Sequence, residues 1–135
     1  MGMTGRCLCG EVSYEVSGDP ITCVTCHCKN CQRQAGSALS IIVGVPEDAV
    51  TVSGELKTYN DTGDSGAVVQ RQFCPNCGSP IFSRLAPQGA PLFIKAGTLD
   101  DTSALQPVLH CYTKSAQSWV EMGDLPQFET VPEGM

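Results

Sequence analysis

No stretch of this sequence is long and apolar enough to enter a membrane as a helix. A spanning helix needs about 18 or more consecutive apolar residues. The longest apolar run, Ala38 to Val45, holds Ser40 and Gly44 and stops at Pro46. The opening residues, MGMTGRCLCG, contain no hydrophobic stretch of the secretory kind, so a cytoplasmic location is expected. Charge is scarce: 16% of the residues are charged, and the eight Lys and Arg are scattered rather than clustered. A chain with formal charge -6 and no basic patch is a poor partner for phosphate backbones, which argues against nucleic-acid binding. There is no internal repeat and no linker. A chain of 135 residues with 41% apolar residues supports one core, and we read residues 1–135 as a single domain. Nothing in the sequence states an oligomeric form.

Cysteine, by contrast, is abundant. Cys7, Cys9, Cys23, Cys26, Cys28, Cys31, Cys74, Cys77 and Cys111 make nine. The number is odd and the spacings are CxC and CxxC. Disulfides do not persist in a reducing compartment, and sulfurs two or three residues apart converge on one metal ion more readily than they bridge each other. Soft thiolates in a tetrahedral set select zinc or an iron–sulfur centre, and no ferredoxin-like run is present, so zinc is the expected ion. FCPNCGSP, residues 73–80, reads as a zinc knuckle in which Gly78 turns backbone N–H groups toward the sulfurs. RCLCGEV, residues 6–12, repeats the device with Gly10. Two half-sites complete one closed site of Cys7, Cys9, Cys74 and Cys77. Such a site contributes folding energy.

CVTCHCKNCQ, residues 23–32, carries the second set. Cys26, Cys28 and Cys31 supply three ligands. The fourth position is either open to water and substrate, as in a catalytic zinc, or closed by Cys23 or His27. His27 lies between two ligands and is expected to point away from the ion, as a surface residue or a support behind the ligands.

Elsewhere the sequence alternates short apolar runs with turn signals, the pattern of a mainly β domain. Strands are predicted over 11–16, 39–45, 50–52, 56–59, 67–73, 80–83, 92–97 and 108–112. Val12, Tyr14 and Val16 should share a buried face. Helix is predicted over 29–35 and over 100–105, where Asp100 or Asp101 would cap. Trp119 is expected in the core, and the last ten residues are expected to trail over the surface.

RCLCGEVSYEV, CHCKNCQRQAGSALS, RQFCPNCGSPIF, AGTLDD and HCYTKSAQSWVEMGDLPQF together resemble the glutathione-dependent formaldehyde-activating enzyme family, which includes centromere protein V. The resemblance runs from about Gly5 to about Pro132. It implies an Mss4-like fold of several coiled antiparallel β-sheets stapled by zinc. It implies two zinc ions per chain: a structural one on Cys7, Cys9, Cys74 and Cys77, and a catalytic one on Cys26, Cys28 and Cys31 with its fourth position open. Cys23 and Cys111 lie outside the family pattern.

The activity implied is that of a carbon–sulfur lyase. A thiol such as glutathione adds to an aldehyde, formaldehyde in the namesake reaction, or the C–S bond is cleaved in reverse. A zinc held by three thiolates favours a thiol as fourth ligand and lowers its pKa. Arg33 and Arg71 are candidates to meet a glutathione carboxylate, and Ser37 to line the pocket. Two other readings exist. One is a non-catalytic module holding two zinc ions. The other is an enzyme resembling methionine sulfoxide reductases, with Cys111 as nucleophile beside His110.

Overall fold

The structure, a computed structural model, describes residues 2–63, 66–85 and 90–132. The chain builds two sheets. The smaller has the order β1 (Met3–Arg6), β2 (Ser13–Val16), β5 (Val50–Ser53). The larger has seven strands in the order β10 (His110–Cys111), β3 (Thr22–Cys26), β4 (Ser40–Val45), β9 (Leu92–Lys95), β8 (Pro80–Leu85), β7 (Val68–Phe73), β6 (Lys57–Thr62). All pairings are antiparallel except β10 with β3. The protein is thus mainly β, as its pattern predicts. The parallel pair, β10 with β3, lies at the sheet edge beside Cys26.

The core lies between the sheets. Val12, Tyr14 and Val16 are buried, as the alternation predicts, while Ser13 and Glu15 face out. They meet Val43, Val45, Phe82 and Ile94 from the larger sheet. Tyr14 and Phe82 pack edge to face, with ring centroids 5.2 Å apart. Cys23 pairs in register with Val43 and belongs to this core.

The other face of the larger sheet is different. Side chains alternate along a strand, so Val24 and Cys26 project opposite to Cys23. Register carries the same face across the sheet, through Ser40 and Ile42 to Lys95 and Phe93, then Ser83, then Arg71. One helix, α1 (Lys29–Ala35), covers part of it and has the predicted bounds. The Cys28 sulfur caps its N-terminus by accepting from the Cys31 N–H at 3.3 Å, and Gly36 ends it in the left-handed conformation.

Several expectations change. β1 and β3 are strands that the pattern did not reveal. β1 is largely polar, and β3 is covered on both faces, so it shows no alternation. Residues 100–105 form turns rather than helix. The Asp101 carboxylate accepts from the N–H and hydroxyl of Ser103, a local arrangement that competes with helix. Trp119 is not in the core; it is 71% exposed. The C-terminal segment does not trail. Gln127 bridges to His110, and the Tyr112 N–H donates to the Thr130 carbonyl at 2.7 Å, so residues up to Thr130 are tied to β10. Residues 133–135 of that segment lie outside the described residues.

Candidate metal centre

Two groups of cysteines converge, and each could hold a metal ion. The sulfurs of Cys7, Cys9, Cys74 and Cys77 all lie within 4.8 Å of one another, and so do those of Cys26, Cys28 and Cys31. None of the nine cysteines is in a disulfide.

The first group sits at the end of the core, between the turn after β1 and the turn after β7. Its sulfurs are spaced for one ion: Cys7 to Cys9 is 3.6 Å and Cys9 to Cys74 is 3.8 Å. Tetrahedral zinc with sulfurs at about 2.3 Å sets them about 3.8 Å apart. Both turns aim N–H groups at sulfur. Val12 N–H donates to Cys7 Sγ at 3.3 Å, and Asn76 N–H to Cys74 Sγ at 3.4 Å. Gly10 and Gly78 take φ of 86° and 80°, the left-handed conformation expected where each turn reverses. The Ser79 hydroxyl lies 3.2 Å from Cys77 Sγ and accepts from the Leu8 N–H, joining the two half-sites. That hydroxyl, with nearby backbone N–H groups, brings the Cys77 thiol down to about 5.

The second group lies on the other face of the larger sheet. β3 delivers Cys26, the turn into α1 delivers Cys28, and the first turn of α1 delivers Cys31. No fourth His, Cys, Asp or Glu among the described residues joins these three sulfurs within 4.8 Å. Cys23 cannot, because three residues along a strand reverses the face, and its side chain is in the main core. His27 cannot either. It is fully buried rather than at the surface, with Nε2 3.1 Å from Thr25 Oγ1 and 3.2 Å from His110 Nδ1. Burial, then His110, pushes the His27 imidazole below its ordinary range. Gln32 fixes this turn: its side-chain amide donates to the His27 carbonyl at 2.7 Å and to the Ser115 carbonyl at 2.9 Å.

Positive charge surrounds this group. The Arg71 guanidinium lies 3.9 Å from Cys31 Sγ and is braced by Asp61 at 2.8 Å. Asn30 of α1 donates to the same carboxylate. The Lys95 ammonium donates to Ser40 Oγ at 2.8 Å. Hydrogen bonds from Cys26 and Cys28, helped by Lys95 and Arg71, hold the Cys31 thiol far below the usual range. Cys111 pairs in register with Cys26, but its thiol is pushed up by burial and by the charge of Cys31. That is the wrong direction for the nucleophile of a sulfoxide reductase.

Sequence reasoning located all seven clustered cysteines. It offered Arg71 to a glutathione carboxylate, whereas Arg71 is buried between Asp61 and Cys31. It missed Asp61, Lys95, Ser83 and Gln32. Lys95 carried a signal: a single cation inside the strand run LFIKAG, where a buried charge needs a reason. Arg33 and Ser37 line an open groove of about 500 Å³ beside α1, together with Lys29, Gln117 and Trp119.

Fold and site together define a mainly β domain with two cysteine clusters able to bind metal, one at the core and one on a charged sheet face. A family model described as glutathione-dependent formaldehyde-activating enzyme matches residues 2–115. The chain belongs to that family. A Talaromyces marneffei protein described as "Putative glutathione-dependent formaldehyde-activating enzyme" is 30% identical over 80 residues, and a Penicillium rubens protein of the same description is 33% identical over 82. Each alignment covers 59% of this chain and 42% of the relative, so the matched part is less than half of those proteins. In fold, the chain is similar to a Rhodobacter sphaeroides protein of known crystal structure, with TM-score 0.58, 20% identity, and coverage of 93% of this chain and 99% of that one.

Proposed function

We propose that this chain acts as one domain holding two zinc ions, and that it is a carbon–sulfur lyase adding a thiol such as glutathione to an aldehyde, or reversing that addition. The observation that carries the reading is the three-sulfur cluster, to which no fourth protein ligand comes among the described residues. A zinc ion held by these three sulfurs would favour a thiol over water and would lower the thiol's pKa.

The chain's own residues do the rest. Cys26, Cys28 and Cys31 would hold the ion, and the α1 cap keeps Cys28 and Cys31 in register. Arg71 and Lys95 offset the negative charge that accumulates when several thiolates gather in a buried place. Gln32 and the Thr25–His27–His110 contacts fix the loop that presents Cys28. The groove beside α1 offers Lys29 and Arg33 to the carboxylates of a peptide-like thiol, and Trp119 to its apolar part. The setting is the reducing cytoplasm, where the thiols stay free. Cys7, Cys9, Cys74 and Cys77 hold the other zinc and take no part in the reaction.

Cobalt substitution tests the reading, because its visible spectrum reports the number of bound thiolates. Glutathione should change the spectrum of the wild type in a dose-dependent way and leave Cys28→Ser unchanged. A wild type that does not respond to thiols is a non-catalytic module with two metals, and the enzyme reading fails.

A further inference from the structure

The sheet face beneath the three-cysteine cluster holds more polar capacity than the cluster uses. Lys95 is 6% exposed, and no carboxylate pairs with it among the described residues. Its ammonium has three donors, and one is spent on Ser40 Oγ. Ser83 is also 6% exposed, and its buried Oγ has no hydrogen-bond partner among the described residues. Register places these groups together. Ser83 lies directly opposite Arg71 on one side and Phe93 on the other, and Lys95 is two residues beyond Phe93 on the same face. Phe82 and Ile94 take the opposite face and fill the core.

Buried donors without acceptors cost stability, by about 1–3 kcal/mol for each unsatisfied group. Here a hydroxyl and an ammonium with unspent donors share one sheet face with Cys26. Apolar residues in these places would suit a plain core. Donors without acceptors suit a visiting oxygen that carries or gains negative charge.

We propose that Lys95 and Ser83 form an oxyanion-binding site, which receives the carbonyl oxygen of the aldehyde. The assignment rests on the thiol-addition reading for its use in catalysis. In that step the thiolate sulfur bonds to the carbonyl carbon, and the π pair of the C=O bond moves onto oxygen. The oxygen then takes back a proton from solvent, equal to the one the thiol released. Lys95 and Ser83 donate to the oxygen as its charge grows. Arg71, tied to Asp61, stays with Cys31 and keeps the sulfur side of the pair in place.

The binding half can be tested without turnover. Formate is a one-carbon oxyanion and serves as the probe, titrated into the zinc-loaded chain and followed by calorimetry or by the ¹³C resonance of labelled formate. Lys95→Met keeps the aliphatic stem and removes the charge; Ser83→Ala removes only the hydroxyl. We expect the formate Kd to rise about tenfold or more in Lys95→Met, the size of a lost charge-assisted hydrogen bond, and about threefold to tenfold in Ser83→Ala. Lys95→Arg should recover part of the affinity. Equal affinity in wild type, Lys95→Met and Ser83→Ala means that formate sits on the metal alone and overturns the proposal, as does a wild type that binds no formate. If Lys95→Met does not fold, Ser83→Ala decides by the same criterion. Formate binding that depends on these residues, in a protein whose cobalt spectrum ignores glutathione, keeps the oxyanion site and rejects the thiol reading.

Discussion

The two cysteine clusters use the same ligand chemistry in opposite surroundings. Cys7, Cys9, Cys74 and Cys77 bring four sulfurs from two turns 65 residues apart, and Cys7 and Cys74 are packed into the main core. Their support is backbone: N–H groups aimed at sulfur by two left-handed glycines. Cys26, Cys28 and Cys31 bring three sulfurs from a single short segment, so an ion there closes no long loop. Their support is side-chain charge from Arg71 and Lys95 on the far face of the sheet. On the proposed reading, the site built from distant turns and backbone donors holds the fold together, and the site built from one segment, with three sulfurs among the described residues and two cations beside it, accepts a thiol.

The sharpest way to break this comparison is to remove one sulfur from each cluster. Cys74→Ser should abolish stable folding. The metal binding energy of a closed zinc site, about 10–16 kcal/mol in small zinc domains, is as large as the whole stability of a typical domain, about 5–15 kcal/mol. Cys28→Ser should keep the wild-type circular dichroism and a cooperative melt. Its metal content should fall from close to two zinc per chain to close to one. Equal collapse in both variants would show that the two clusters do the same structural work.

A smaller effect is expected from the charges around the open cluster. Asp61→Ala leaves the buried Arg71 guanidinium without its carboxylate, which should cost about 3 kcal/mol in a urea melt. Among the described residues the four-cysteine cluster has no such ion pair to lose. A cost within experimental error would mean that the thiolate side alone carries Arg71.

Cys23 separates chain proximity from geometry. Cys23→Ser buries a hydroxyl in the apolar core and should cost about 1–3 kcal/mol. It should nevertheless leave zinc content and the cobalt response to glutathione as in the wild type. A response that appears only when Cys23 is removed would make Cys23 the fourth ligand and the second cluster a closed one.

The smallest change in stability is expected at the groove. Trp119→Ala should shift stability by no more than about 0.5 kcal/mol, as an exposed surface substitution does. Glutathione affinity, read from the cobalt titration, should weaken severalfold. Unchanged affinity would remove the groove from the thiol site.

The cysteine spacing by itself located the half-sites, because two sulfurs two or three residues apart have little choice but to meet. It also located the glycines of the knuckles and the bounds of α1, since these are local requirements of turn and cap. The alternation of Val12, Tyr14 and Val16 determined a buried face for the same reason: a strand has only two sides. The fate of Cys23 was not legible in a list of spacings that offered it as an equal candidate. Pairing β3 with β4 settled it, because the strand turns Cys23 into the core and Cys26 away from it. Lys95, Ser83, Arg71 and Asp61 became a site only through the order of the sheet. Register across β9, β8, β7 and β6 brings together residues that lie up to 34 positions apart in the chain. Residues 126–130 ran against sequence expectation for a related reason. Their places depend on a two-residue strand, β10, whose parallel partner is set by the whole sheet rather than by its own composition.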